Sequence, residues 1–365
     1  MSAPANQVKA ALTISKYSLL ATLKSPTSVV FSLLFPIIFI TVFGSVNVGR
    51  APVSKLAVAQ GSDTANVVYR ALSQASAISL QPGLSEAEMA ESLKKGRLAG
   101  VLSITRDIGI IPHYTIHLQS SPSAANAGLP QTMINEVISK INQQVFPGNA
   151  SIAALSVTQL RGRVYRSIDF ILPGQLGFSL LFAGVYGSSF LLFSLRQGLV
   201  LKRLRTTPVR RSSIIGGEML SRLFFHIISF IIMVVLGVYA FQFTLVNGFA
   251  TFSEMLVFSL FGLGIFMGIG FIISGVVQNE NAISPIANTI VLPQILLCGL
   301  FFPVENYPVW MQHLCNALPL TMFVDGLRKI AFEGTHIWQM PMIILGLVVW
   351  TGIIVPLSMK SFRWE

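Results

Sequence analysis

The sequence predicts an α-helical polytopic membrane protein with six transmembrane helices and an inserted α/β (α+β) extracytoplasmic domain between the first and second. Three observations carry that expectation. Of 365 residues, 53% are hydrophobic and 11% charged, with a mean hydropathy of +0.69, outside the usual balance of a soluble protein. Six windows are apolar enough over the roughly 20 residues that a bilayer-spanning helix takes. The stretch 49–169 lacks such a window and alternates strand-like with helix-like runs instead. A net charge of +11 invites a nucleic-acid partner, but that requires a basic face on a soluble fold. Much of the charge here flanks apolar runs, which is a topology signal.

Residues 1–28 read as a cytoplasmic amphipathic interfacial helix. Lys9, Lys16 and Lys24 form one stripe and Val8, Leu12, Leu19 and Leu23 mostly another. The first span, 29–48, is followed by no convincing small-residue cleavage site, so it is expected to stay attached as a signal anchor. In the insertion, LAVAQ, AISLQ, LAGVLSI and YTIHLQ are strand-like, while ANVVYRALSQAS, SEAEMAESLKKG and a run from about Ala124 to Val145 are helix-like. Ser85 with Glu88 three residues on makes a capping box, and Gly96 stops that helix. GNASIAALS, around Gly148, reads as the linker back to the membrane.

The membrane domain, 170–365, holds the remaining windows: Phe170–Leu195, Leu223–Phe243, Met255–Val277, Ala282–Phe302 and Pro341–Leu357. Orientation follows from Lys and Arg in short loops, which stay on the cytoplasmic side. Three lie in the N-terminal tail, seven between Arg196 and Arg222 and two in the C-terminal tail, against none in Thr244–Glu254 and two in Pro303–Met340. Twelve against two places both termini in the cytoplasm.

The basic loop 196–213 contains LVLKRLRTTPVRRSS. Val200, Leu201 and Leu204 fall on one side of a short helix and Lys202 and Arg205 on the other. Thr207-Pro208 ends it, and Ser212 or Ser213 caps the next span. One reading is an orientation signal that also touches anionic lipid headgroups, at about 1 kcal/mol per cation. The other is a lever docking into a cytoplasmic partner. Glu218, Arg222 and His226 follow at i, i+4 and i+8, an ion pair with a histidine at the membrane mouth. QNENA, with Asn279 and Glu280, forms a short cytoplasmic turn.

The segment 303–334 is too polar and proline-rich to span, yet Phe301, Phe302, Tyr307, Trp310, Met311, Leu314 and Phe323 need a dry environment. Short re-entrant or interfacial helices broken at Pro303, Pro308 and Pro319 fit. Other chemistry is sparse. His113 and His117, four apart in a strand, sit roughly 13 Å apart, too far for one metal without further ligands. Cys298 and Cys315 read as buried thiols, with a single bridge left open. Gly264 and Gly268 form a GxxxG suited to close helix packing. Neither a GxSxG nucleophile elbow nor a GxxxxGK[ST] phosphate loop occurs in the chain.

The order of elements resembles the ABC-2 family of ATP-binding-cassette exporter permeases, in the longer form with an extracytoplasmic domain after the first span. Two segments carry the resemblance. Lys202-Arg203-Leu204-Arg205-Thr206-Thr207-Pro208 is similar to the family's basic-loop pattern. Gly299, Phe301, Phe302, Pro303, Glu305, Pro308, Trp310, Pro319, Thr321, Asp325, Leu327 and Arg328 are similar to its GxFFPxExxPxW…NPxT…DxLR segment, with Leu318 where that pattern has Asn.

The resemblance implies a non-enzymatic permease that pairs with a second permease subunit, either an identical or a related chain. A separate cytoplasmic ATPase would bind ATP and Mg, leaving no cofactor in this chain. It implies ATPase coupling by Leu201, Lys202, Arg203, Leu204, Arg205, Thr207 and Pro208; the QNENA turn, with Asn279 and Glu280, is a candidate second cytoplasmic contact on its position alone. It also implies an external gate built from Phe301, Phe302, Pro303, Glu305, Pro308, Trp310, Pro319, Asp325 and Arg328. Expected partners include membrane lipids and an envelope or periplasmic protein, but no nucleic acid. The expected location is the plasma membrane, the inner one in a Gram-negative cell. The alternative is a non-transporting, membrane-anchored sensor or envelope-interaction module using the external domain.

Overall fold

The computed structural model describes residues 4–44, 54–75, 78–107, 113–124, 128–145, 153–160, 163–197, 211–301 and 303–361. The coupling residues Leu201, Lys202, Arg203, Leu204, Arg205, Thr207 and Pro208 lie outside them, as does Phe302. Contacts divide the chain into a helical unit (Met1–Val48, Ile168–Val304, Val309–Glu365) and a sheet unit (Gly49–Ser167, with Glu305–Pro308).

The helical unit opens with α1 (Pro4–Lys24). A short piece, Pro26–Val29, and a π turn, Val30–Leu34, lead into α2 (Phe35–Gly44). The next helices, α3 (Val67–Gln74), α4 (Glu86–Lys94) and α5 (Leu129–Val145), belong to the sheet unit. The helical unit resumes with α6 (Ser167–Leu181), a π turn at Phe182–Tyr186 and α7 (Gly187–Gln197). It continues with α8 (Arg211–Phe241), α9 (Phe249–Val276) and α10 (Ile283–Leu297). It ends with α11 (Val309–Ala317), α12 (Pro319–Arg328) and α13 (Pro341–Ser361).

Among the described residues, four helical runs are long and apolar enough to cross a membrane: Ser167–Gln197, Gly216–Phe241, Phe249–Val276 and Pro341–Ser361. The other two windows hold shorter helices among the described residues. Window 29–48 contains the apolar stretch Val30–Phe43. Window Ala282–Phe302 contains the 15 residues of α10, about 22 Å at 1.5 Å per residue against a core of about 30 Å. The physical limits of α10 are local. A single turn, Glu280–Ala282, precedes it, and Gly299 at φ 75° takes the left-handed conformation that closes a helix.

α9 is the central packing element, lying against α7, the Phe182–Tyr186 turn and α13. Gly270 permits that approach, because a Cβ there would meet the Val185 carbonyl oxygen at 2.6 Å. Phe323 of α12 is fully buried, stacked on Phe258 at 5.3 Å and edge-on to Phe266 at 6.5 Å. Of the GxxxG pair, Gly268 packs on Ile354 and Gly264 faces open space.

The sheet unit is a five-stranded mixed sheet. Its strands are β1 (Ser54–Val58), β2 (Ile78–Gln81), β3 (Gly100–Asp107), β4 (His113–Ser120) and β5 (Ala153–Gln159), in the spatial order β2-β1-β3-β4-β5. β1 runs parallel to β2 and β3, β3 and β4 are antiparallel, and β4 and β5 are parallel. Alternation sorts the faces. Leu102, Ile104, Ile116 and Leu118 join the core with α3 and α5. On the other face Ala57 and Val101 pack with Met89 and Leu93 of α4 and with Leu98, flanked by Leu84 and Leu160, while His117 and Gln119 of β4 are exposed.

Three sequence expectations need correction. Part of GNASIAALS is not linker: Ala153 to Ser156 opens β5, paired to β4 through Tyr114↔Ala153 and Thr115↔Ala154. The helix expected from Ala124 begins at Leu129, and Ala124 instead closes a turn by donating to Ser121. Ser213 is not a cap; it lies inside α8 and its hydroxyl donates to Gln7 at 3.0 Å.

Candidate functional site

α8 presents Glu218, Arg222, His226 and Ser229 at helical spacings of four, four and three, so all four line one face. All are buried: 8%, 7%, 1% and 1% exposed. α1 covers the Glu218 end. A Cβ at Gly217 would meet the Ala11 carbonyl oxygen at 2.6 Å, so only glycine lets the two helices approach this closely. In that seam the Ser18 hydroxyl donates to the Glu218 carboxylate. The apolar residues Val8, Leu12 and Leu23 of α1 stay on the exposed side, as expected for a helix with one face toward lipid.

Arg222 turns elsewhere. Its Nη2 donates to the Gly187 carbonyl at the start of α7, at 3.0 Å. No N···O contact within 4 Å joins Glu218 to Arg222 among the described residues; each has its own partner. Beyond Arg222 the stripe is unsatisfied. Among the described residues, neither ring nitrogen of His226 meets a partner, nor do the hydroxyls of Ser221 and Ser229. Gln175 of α6, fully buried, has no partner among the described residues at either end of its amide. An unpartnered polar group in an apolar interior costs roughly 1–3 kcal/mol. Ionisable groups inside spans are expensive and mark function by default.

The second region is the broken segment after α10. Proline sets its boundaries: Pro308 immediately precedes α11, and Pro319 opens α12, where its missing N–H is not needed. Pro303 is buried, and the Phe301 ring lies edge-on to Phe39 at 5.4 Å. Glu305, grouped with the sheet unit, approaches Lys55 at 3.9 Å. Asp325 pairs with Lys329 at 2.6 Å. Arg328 donates to the carbonyls of Gly299 and Phe170. Trp310 and Leu314, expected to find a dry environment, are 68% and 52% exposed within this chain. Cys315 is the buried residue of α11, whereas Val309, Trp310 and Leu314 stay exposed.

Sequence reasoning missed three members of these regions. Asp169, 1% exposed, accepts from the Thr244 backbone N–H at 2.8 Å. Glu254 meets His336 Nδ1 at 2.7 Å, and the His336 ring stacks on Trp338. Ser18 meets Glu218. The available signal was a lone carboxylate beside or inside an apolar run, which needs a partner from elsewhere. Asn279 caps the Glu280–Ala282 turn and Glu280 is exposed. Among the described residues, no group of three or more His, Cys, Asp or Glu is placed to hold a metal, and both cysteines are free and buried.

Long apolar helices carrying buried ionisable side chains, with a mixed α/β domain inserted among them, define a multi-pass membrane protein. The chain belongs to the ABC-2 type transporter family, whose model matches residues 128–332. It is a membrane subunit of that transporter class. It is similar over 98% of its length to all of the linearmycin resistance permease protein LnrN of Bacillus subtilis, at 23% identity. The daunorubicin resistance ABC transporter permease protein DrrB1 of Streptomyces coeruleorubidus is 24% identical over 54% of this chain and 69% of its own. The probable multidrug ABC transporter permease YbhR of Escherichia coli is 27% identical over 39% of this chain and 38% of its own.

Proposed function

We propose that this chain is the permease subunit of an ATP-driven exporter. It pairs with a second permease subunit and is powered by separate cytoplasmic ATPase subunits that bind ATP and Mg. The observation that carries this reading is the family match over residues 128–332, together with whole-length similarity to a resistance permease. Both termini and the basic loop are cytoplasmic on the charge count, and the sheet unit lies outside. Six crossings follow if the two shorter helices, Val30–Phe43 and α10, also traverse the bilayer, with residues beyond their ends or local thinning making up the length.

In this reading Leu201, Lys202, Arg203, Leu204, Arg205, Thr207 and Pro208 form the coupling element, with Asn279 and Glu280 as a second contact. The Gly299–Arg328 segment, with Phe302, serves as the outer gate. The names of the relatives, a linearmycin and a daunorubicin resistance permease, make an antibiotic the candidate cargo.

The test is affinity purification of the tagged chain from native membranes in mild detergent, with co-purifying subunits identified by mass spectrometry. A stoichiometric ATPase that is lost with Leu204→Asp, and uncoupled export with a replaced Pro208, are the expected results. Intact protein recovered without an ATPase in several detergents would sink the reading.

A further inference from the structure

The sheet unit contains a cavity of about 620 Å³, within the range of roughly 300–1,000 Å³ typical of small-molecule sites. Its position follows from the fold. Among the described residues, α4 is the helix packed on this face of the sheet, and the groove runs along it where cover ends. The floor is apolar: Met89, Leu93, Val101 and Leu160. The opposite wall is the chain on either side of the β4 and β5 ends. It is fixed by backbone bonds from Leu160 to Ser120 at 3.0 Å and from Tyr165 to Pro122 at 3.1 Å. One end is closed by the buried Ser121 hydroxyl, which donates to the Leu93 carbonyl at 2.7 Å.

Charge is unevenly placed along this groove. Glu86 lines it at the start of α4 and Lys94 at its end, about 12 Å apart along the axis. Arg163 also lines it. Its segment is held at Pro122 by the Tyr165 bond, next to Ser121, whose hydroxyl bonds the Leu93 carbonyl beside Lys94, so both cations lie toward the same end. Lys95 is occupied by Glu91 at 2.7 Å, whereas Lys94 has no carboxylate partner among the described residues.

We propose that this groove binds a small amphipathic anion. The apolar body lies on Met89, Leu93 and Leu160, and a carboxylate, sulfonate or phosphate sits between Lys94 and Arg163. The site is separate from the helical unit's polar stripe and gives the inserted domain a ligand of its own. Its outward orientation rests on the permease reading, but binding itself does not.

The test uses the full chain in phosphatidylcholine nanodiscs, photolabelled with a diazirine-bearing dodecanoate or with the amine-headed analogue of the same chain. No ATPase is present, so the result is independent of transport. Saturable labelling of Glu86–Lys94 and Leu160 by the acid, but not the amine, is expected. Lys94→Glu should raise the half-saturating concentration about tenfold, the loss of one charge-assisted contact. Ala90→Trp, at an exposed position that lines the groove, should abolish labelling. Unchanged amide-exchange protection of β3 and β4 verifies folding of both variants.

Displacement by added phosphatidylglycerol would assign the natural anion to the bilayer, and persistence would assign it to a free amphiphile; either keeps the site. Labelling confined to the helical unit, equal for acid and amine, or indifferent to Ala90→Trp would overturn it.

Discussion

Arg328 donates through Nη2 to the Gly299 carbonyl at 2.7 Å, although the Val304–Asn306 turn and α11 lie between Gly299 and the helix that carries Arg328. The same guanidinium lies 3.3 and 3.2 Å from the Phe170 carbonyl through Nε and Nη2, and 3.8 Å above the Phe170 ring. One side chain therefore joins the end of α12, the left-handed exit of α10 and the first turn of α6. A planar fork can serve two carbonyls and a ring at once; an ammonium cannot.

Arg328→Lys is accordingly expected to lower stability by about 2 kcal/mol, and Arg328→Ala by more, since charge-assisted hydrogen bonds contribute roughly 1.5–3 kcal/mol each. Thermal ramps of the detergent-solubilised protein, read by size-exclusion chromatography, check this. A lysine variant with the parent midpoint would show that the fork contributes nothing.

Gly217→Leu should separate α1 from α8, because the first added carbon already meets the Ala11 carbonyl at 2.6 Å. A cysteine pair at Gln7 and Ser213, whose side chains meet at 3.0 Å, reports the seam through a short thiol cross-linker. Efficient cross-linking of the pair in the parent and its loss in the Gly217→Leu background are expected. Equal yield in both would mean that the helices tolerate the larger side chain.

The legible parts of this molecule were those set by local chemistry. The Ser85–Glu88 capping box, the stop at Gly96 and the helix starts after Pro308 and at Pro319 all depend on residues within a turn of each other. β5 was illegible because its mixed polar sequence becomes a strand only through pairing with β4. The stripe Glu218–Arg222–His226 could be read from spacing, but its partners could not. Ser18 lies 200 positions from Glu218 and Gly187 lies 35 from Arg222, distances over which sequence pattern carries no contact information. α10 shows the complementary failure: hydropathy extends to Phe302, whereas the positive φ of Gly299 ends the helix earlier.

His226→Leu tests the unsatisfied stripe. The imidazole is 1% exposed with neither nitrogen paired among the described residues, so an apolar replacement of similar size removes a desolvation cost of about 1–3 kcal/mol. The thermal midpoint should hold or rise while export falls. A drop of several degrees would reveal that the ring has partners essential to folding.

The capping box makes the sheet unit acid-sensitive in a stated direction. The Glu88 carboxylate accepts from the Ser85 backbone N–H at 2.9 Å and from the Ser85 hydroxyl at 2.7 Å. Those bonds, the backbone one foremost, hold its pKa below the ordinary 4.5. A folded-state pKa below the unfolded one means that folding favours the ionised form. The contribution is therefore fully present above 4.5 and is lost as pH falls through the lower, folded value. Lys95 depresses Glu91 in the same helix by the same logic, first through its hydrogen bond and then through its charge. Amide-exchange protection factors across Glu86–Lys94 in the full chain, compared between neutral pH and pH about 3, should fall in the parent. Glu88→Gln should start lower at neutral pH and lose part of that dependence, while retaining the share that belongs to Glu91. An identical pH profile in the parent and Glu88→Gln would show that the box does not hold the first turn of α4, the wall on which the groove's Glu86 stands.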